Sequence, residues 1–145
     1  MRTAEHMRAA PGLLAPDTSL EDAERMMARL RVPALIVEKR GRVLGVVTAV
    51  DLAAARPSPA TSLAIGELRG WLAQLRVEDV MHRDPPVVAP VTPFVDTARL
   101  LRESPTGVVP VVDDERLIGV VTIFDALEAL SRRNVLVTNC RRSRC

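Results

Sequence analysis

A chain of 145 residues with 48% apolar content and no long apolar run is expected to fold as a globular body and not to cross a membrane as a helix. Its formal net charge of +2 hides a division, because Arg132, Arg133, Arg141, Arg142 and Arg144 crowd an acid-free end and leave the rest of the chain net acidic. Phe94, Phe124 and Trp71 are the only aromatic residues, too few for the stacking surface of a single-strand nucleic-acid binder, so nucleic acid is not expected as a partner.

The N-terminus carries Arg2, Glu5 and His6 without the apolar stretch of a secretory signal, and a cytoplasmic location is expected. Cys140 and Cys145 lack the further Cys or His ligands of a closed zinc site. They read as free thiols of a reducing compartment, and no metal is expected.

In chain order, residues 1–10 read as an ordered arm anchored by Met7, and Leu13 and Leu14 as a short strand. Pro16-Asp17-Thr18-Ser19-Leu20-Glu21 starts a helix, with Thr18 as cap and Glu21 as the acid three residues on. Leu20, Ala23, Met26, Met27 and Leu30 give that helix one apolar face, and Pro33 ends it. Residues 34–37 and 43–48 are strands joined across Lys39-Arg40-Gly41, and residues 52–55 continue as a helix.

Pro57 and Pro59 open a linker, in which residues 63–75 read as an amphipathic helix with Leu68, Trp71, Leu72 and Leu75 on one face. A second series follows, with a strand at Val87 and Val88 and a helix from Phe94 to Glu103. Thr92 is its expected cap, and Pro93 is expected at the first helical position. Strands at 108–112 and 117–122 and a closing helix over 124–133 complete the series. The chain thus divides into a first unit (1–56), a linker (57–76), a second unit (77–134) and a basic tail (135–145).

The second unit repeats the first. Gly45-Val46-Val47-Thr48-Ala49-Val50-Asp51 returns as Gly119-Val120-Val121-Thr122-Ile123-Phe124-Asp125, each residue 74 positions on. The same step links Met7 to Met81, Pro11 to Pro85, Pro16 to Pro90 and Thr18 to Thr92. Matching Pro33 with Pro110 stretches the step to 77, implying an insertion in the first helix and a compensating deletion in the hairpin.

Each copy is a strand-to-helix corner, where unpaired N–H groups and partial positive charge suit an anion. A hydroxyl and a carboxylate there can hold a phosphate and a sugar diol. The same Thr-x-x-Asp also fits a capping box, and its recurrence in register is what raises the binding reading beside it.

This pattern resembles a tandem pair of CBS domains, named after cystathionine β-synthase. The second copy carries the resemblance in Val77-Glu78-Asp79-Val80-Met81, Pro90, Ala98, Val109-Pro110-Val111-Val112 and its corner. The first carries it in Met7, Pro16-Asp17-Thr18-Ser19-Leu20, Ala23, Val32-Pro33 and its own corner.

The resemblance implies an α/β (α+β) fold of two β-α-β-β-α repeats packed about a pseudo-twofold axis, with the corners facing clefts between them. It implies that the clefts take adenosine-containing ligands (AMP, ADP or ATP, or S-adenosylmethionine or NAD) as effectors, with no cofactor. Asp51 and Asp125 would accept the ribose hydroxyls, Thr48 and Thr122 would stand beside the phosphate, and Gly45 and Gly119 would let the backbone approach the ligand. An aliphatic adenine slot is implied by Pro33, Ala34, Leu35, Pro110, Val111 and Val112 on the strands. Gly12, Leu13, Leu14, Pro86, Val87 and Val88 on the lead-in segments would complete it, and Arg8, His82 and Arg83 are further candidates for phosphate contact.

Two departures stand out: Val50 and Phe124 occupy a position often small or polar in the family, where Phe124 would narrow the second cleft, and the first helix reads as short. One occupied site or two remains open on these residues.

His6 and His82 have no partner nucleophile, phosphate-cradling loop or carboxylate cluster, so no catalysis is expected. The expected function is a regulatory adenine-nucleotide sensor, homodimeric like other CBS pairs, that signals by conformational change to an unknown protein partner. The alternatives are a structural dimerisation or interaction module whose corners are only helix caps, and a stress-response protein that contacts nucleic acid through the Arg-rich tail.

Overall fold

The computed structural model describes residues 1–56, 66, 67, 70 and 74–142, with side chains described to residue 133. Its first unit runs β1 (Leu13–Leu14), α1 (Leu20–Leu30), β2 (Ala34–Lys39), β3 (Arg42–Thr48) and α2 (Ala49–Ala54). The second runs α3 (Val77–Val80), β4 (His82–Arg83), α4 (Phe94–Glu103), β5 (Val108–Asp113), β6 (Arg116–Thr122) and α5 (Ile123–Arg142). A short 3-10 turn, Thr3–Glu5, precedes them. Helix α5 continues through Arg142, beyond its expected end at Arg133 and into the stretch read as a tail. The linker helix expected over 63–75 lies largely outside the described residues. Among the described residues, no helix is long and apolar enough to cross a membrane.

Strands β2 and β5 are unbroken apolar runs because both their faces are covered. Leu35 and Val37 face the helices of their own repeat, in a core with Leu14, Leu20, Ala23, Met27, Val47 and Leu52. Val109 and Val111 do the same with Val88, Phe94, Leu101, Val121 and Ala129. The alternate residues Ala34 and Ile36 meet Val46, Val108 and Val120 in a third cluster, which joins the two repeats.

The first sheet is ordered β1-β2-β3-β4, with β1 parallel to β2 and the other pairings antiparallel. Hairpin β5-β6 reproduces its centre, and two isolated bridges reproduce its edges, Val88 with Val111 (parallel) and Arg8 with Val120 (antiparallel). Val88 therefore forms a single bridge where a strand was expected, while the strand at His82–Arg83 was not foreseen.

The register corrects the expected insertion. Thr48 lies opposite Ala34 and Thr122 opposite Val108, Gly45 opposite Val37 and Gly119 opposite Val111, with a bulge after Val37 and after Val111. The step of 74 thus holds through strands and hairpins. The counterpart of Pro110 is Ile36, and that of Pro33 is Gly107, whose carbonyl accepts Ile123 N as Pro33 accepts Ala49 N. The two prolines do different jobs: Pro33 precedes its strand, whereas Pro110 lies inside β5 and accepts Val88 N through its carbonyl. Nor is α1 short, since its eleven residues compare with ten in α4. Both hairpins turn on two residues at positive φ, Arg40 and Gly41 in one and Asp114 and Glu115 in the other, as a tight twisted hairpin requires.

Two caps also differ from expectation. Ser19, not Thr18, caps α1 by accepting Asp22 N at 3.2 Å, because the Thr18 carbonyl is committed to Val77 N. Pro93 stands at the cap of α4, one place before the first helical residue, and the Thr92 hydroxyl accepts Ala89 N.

The lead-in segments are exchanged between repeats. Thr3 N donates to Thr92 O and Ala4 N to Pro90 O, while Val77 N donates to Thr18 O and Glu78 N to Pro16 O, the same pair of bonds with the repeats interchanged. Met7 accordingly packs on the second core, and Met81 packs on the first. The segment 77–81, expected to lead into its own repeat, is held by the other one.

Candidate functional site

Each corner is built by the strand that ends at its threonine. In α2, Thr48 accepts Asp51 N through Oγ1 at 3.1 Å, and Asp51 Oδ2 accepts Thr48 N at 2.8 Å, a reciprocal capping box. The second corner repeats it: Thr122 N donates to Asp125 Oδ2 at 2.8 Å, and Asp125 N reaches Thr122 Oγ1 at 3.4 Å. Here the Thr122 hydroxyl also donates to Oδ2, at 3.0 Å. Both corners therefore satisfy the local reading as helix caps.

The remaining carboxylate oxygen of each aspartate faces a basic side chain from the exchanged lead-in. His82 Nε2 lies 3.0 Å from Asp51 Oδ1, and since a carboxylate only accepts, that nitrogen carries the proton. Arg8 donates through Nε to Asp125 Oδ1 at 2.8 Å and forms an ion pair with the same oxygen. Arg8 and His82 are themselves 74 positions apart, so that spacing was the available signal for this pairing. The pairs differ in burial: the Asp51 side chain is 18% exposed, whereas that of Asp125 is 5% exposed. Arg83, the third basic candidate, turns away and donates to Glu78 O at 2.9 Å.

Gly45 and Gly119 face the exchanged lead-in segments. A methyl group on Gly45 would stand 2.7 Å from the His82 carbonyl oxygen, and one on Gly119 would stand 2.8 Å from that of Arg8. What comes close at these glycines is the exchanged lead-in strand, and only a residue without Cβ admits it.

A cavity of about 350 Å3 opens between the repeats at the second corner. Val120, Thr122, Ile123 and Phe124 form one wall, residues 31–36 the other, and Thr106, Gly107, Val108, Pro11 and Arg8 complete it. Pro33, Ala34 and Leu35 of the expected adenine slot are thus brought to Thr122. Phe124 lines the cavity while remaining largely exposed, so it borders the space without filling it.

The other slot residues stand elsewhere. Leu14, Val88 and Val111 point into the repeat cores, Gly12 packs against Leu30, Met26 and Leu35, and Leu13 and Val87 are exposed. Pro86 is exposed, Pro110 is buried opposite Val120, and Val112 bonds to the Val88 carbonyl. Sequence reasoning missed Pro11, Arg31, Val32, Ile36, Thr106, Gly107, Val108, Val120 and Ile123 as lining residues, because the cavity draws on the starts of β2 and β5 together. A second recess of about 270 Å3, lined by Glu5, His6, Met7, Arg8, Asp125, Glu128, Ala129 and Arg132, adjoins it, and Arg8 borders both. Among the described residues, no group of His, Cys, Asp or Glu is arranged to hold a metal ion.

The chain matches the CBS domain over residues 4–58 and again over residues 77–132. A CBS domain-containing protein of Dictyostelium discoideum is 31% identical over 116 residues, spanning 79% of this chain and 80% of its own. CBSX2 of Arabidopsis thaliana, solved in complex with AMP, aligns at a TM-score of 0.74 and 28% identity over 90% of this chain and 97% of that one. Another CBS domain pair, solved in complex with 5′-methylthioadenosine and S-adenosyl-L-methionine, shares the fold at a TM-score of 0.71 and 20% identity, over 90% of this chain and 99% of its own. This chain belongs to the CBS-domain family and carries the domain as a tandem pair.

Proposed function

We propose that the protein is a regulatory, non-catalytic module that binds an adenosine-containing nucleotide between its repeats and passes the resulting change of shape to a protein partner. The observation that carries this reading is the cavity at the second corner. It is large enough for a small ligand, apolar along the strand starts, and edged by the Thr122 hydroxyl and by Arg8, the partner of Asp125. Asp125, and Asp51 at the first corner, take the ribose hydroxyls, since an ionised carboxylate accepts from two donors at once. Thr48 and Thr122 stand beside the phosphate, the Thr122 hydroxyl turning its proton from Asp125 Oδ2 to donate to it. The adenine lies against Pro33, Ala34 and Leu35. The AMP complex of CBSX2, at 28% identity over nearly its whole length, supports the ligand class.

Thermal unfolding across AMP, ADP, ATP, NAD and S-adenosylmethionine tests this reading. A ligand at a hundredfold its dissociation constant adds about 2.7 kcal/mol, or roughly 5–10 °C for a chain of this size. The expected result is a shift with at least one adenosyl ligand that disappears in Asp51→Ala/Asp125→Ala. The competing reading, an interaction module without ligand, is favoured by one observation: both aspartates are fully engaged as caps and ion-pair partners. It predicts a lower melting point in the variant and no ligand shift in either protein.

The same proposal includes a homodimer. Phe124, Leu127 and Leu130 on α5 are more than half exposed, as are Val91 and Val95 at α4, an apolar surface suited to a second copy. Leu127→Glu with Leu130→Glu is expected to convert a dimer to a monomer by light scattering after size exclusion. An unchanged mass would remove this face from the assembly.

A further inference from the structure

At the second corner the group meant for a ribose is already occupied. Asp125 Oδ2 is held by Thr122 N and Oγ1, and Oδ1 by the Arg8 guanidinium. With the aspartate side chain 5% exposed, a diol cannot reach Oδ1 without displacing Arg8. The Arg8 backbone is fixed, since its N–H and carbonyl both bond Val120, at 3.0 and 2.8 Å. Its side chain is 55% exposed and borders both the apolar cavity and the polar recess, so it is free to turn while its backbone stays in place.

We propose that Arg8 is a specificity-determining latch that makes the second cleft select adenosine phosphates over adenosyl ligands without phosphate. This rests on the reading that the cleft takes an adenosyl ligand at all.

Charge balance sets the preference. When ribose hydroxyls replace the guanidinium on Asp125, the carboxylate keeps its hydrogen bonds but the guanidinium gives up a buried anion. The carboxylates left to it in the adjoining recess, Glu5 and Glu128, are exposed, with Glu128 already paired to Arg132. Adenosine supplies no anion, and its binding is opposed by the broken ion pair. S-adenosylmethionine puts its sulfonium at the ribose 5′ position, where AMP carries its phosphate, and so adds a cation beside the released one, its carboxylate lying further out on the methionyl chain. A phosphate beside Thr122, whose hydroxyl must first release Asp125 Oδ2, enters the same cavity that Arg8 lines, and it restores an anion to a side chain whose planar fork suits phosphate. Arg8 then exchanges an internal anion for the ligand's.

The first corner provides the internal contrast. Its counterpart, His82, makes a single bond to Asp51, and an imidazole does not carry a permanent charge. The two corners therefore hold their aspartates unequally, although they are built from the same repeat.

Calorimetric titration of the wild type, Arg8→Met and Arg8→Lys with AMP, adenosine and S-adenosylmethionine tests the latch. In the wild type AMP is expected to bind at least tenfold tighter than adenosine. In Arg8→Met, AMP weakens and adenosine tightens, so that their ratio falls about tenfold or more. Arg8→Lys retains an intermediate preference, and melting curves without ligand show that each variant is folded. An AMP-to-adenosine ratio unchanged in Arg8→Met would overturn the latch while leaving the adenosyl site in place. Failure of every ligand to bind the wild type would remove the site itself, and the latch with it.

Discussion

Val120→Asp is expected to leave the protein largely unfolded at room temperature. Val120 is 2% exposed in the cluster that joins the repeats, between Ala34, Ile36, Val46 and Val108, and its backbone holds the first lead-in through Arg8. None of these side chains can pair a carboxylate, and Arg8, which borders the cavity that Val120 also lines, is already paired with Asp125. An uncompensated buried charge costs several kcal/mol, a large share of the roughly 5–15 kcal/mol that stabilises a domain of this kind. Because the cluster lies between repeats, its loss separates two sheets that individually lack one covered face. Ile118→Asp, two residues away at the bulge of the same strand, where the side chain is exposed, is the matched control and is expected to change stability by about 0.5 kcal/mol. Urea unfolding followed by circular dichroism measures both.

Gly119→Val is the second large effect. The valine Cβ would lie 2.8 Å from the Arg8 carbonyl oxygen and 3.2 Å from Met7 Sδ. The sulfur can move, but the carbonyl is fixed by its bond from Val120 N. The expected outcome is release of the lead-in from β6, with the loss of the Arg8 bridge, of Met7 from the second core and of the ion pair to Asp125. A cost of about 3 kcal/mol is expected, at the upper end for overpacking. Hydrogen exchange distinguishes this from general unfolding, because protection should vanish at Arg8 and Val120 and persist along β2 and β3. If the glycine instead lined a ligand surface, the unliganded protein would tolerate valine with its exchange pattern unchanged.

Local chemistry made much of this fold readable. Helix α4 has the bounds Phe94–Glu103 expected from its apolar spacing, and the hairpin strands fall within one or two residues of the β-branched runs that specify them. The corners were legible as well, since Thr and Asp three apart after a strand define a cap wherever they occur. Less legible was everything that depends on a distant segment. Nothing near Gly45 or Gly119 says that the chain approaching them is residues 81–82 or 7–8, because a glycine in a strand records only that something comes close. Matching prolines by identity displaced the repeat by three residues, whereas the pairing of Thr48 with Ala34 and of Thr122 with Val108 restores it. Thr18 and Ser19 are both good caps by type, and the decision between them came from Val77, which claims the Thr18 carbonyl from across the repeats. Arg8 and His82 were marked for their charge, but their partners are the carboxylates themselves.

The central claim is that the second corner is an adenosyl site built across two repeats. It is tested most directly by a crystal structure of the protein grown with saturating AMP. The account predicts adenine in the cavity between Pro33–Ala34 and Ile123–Phe124, ribose hydroxyls on Asp125, and Arg8 turned from that carboxylate to the phosphate. AMP bound away from both corners, or an empty cleft with Arg8 still paired to Asp125, would contradict it.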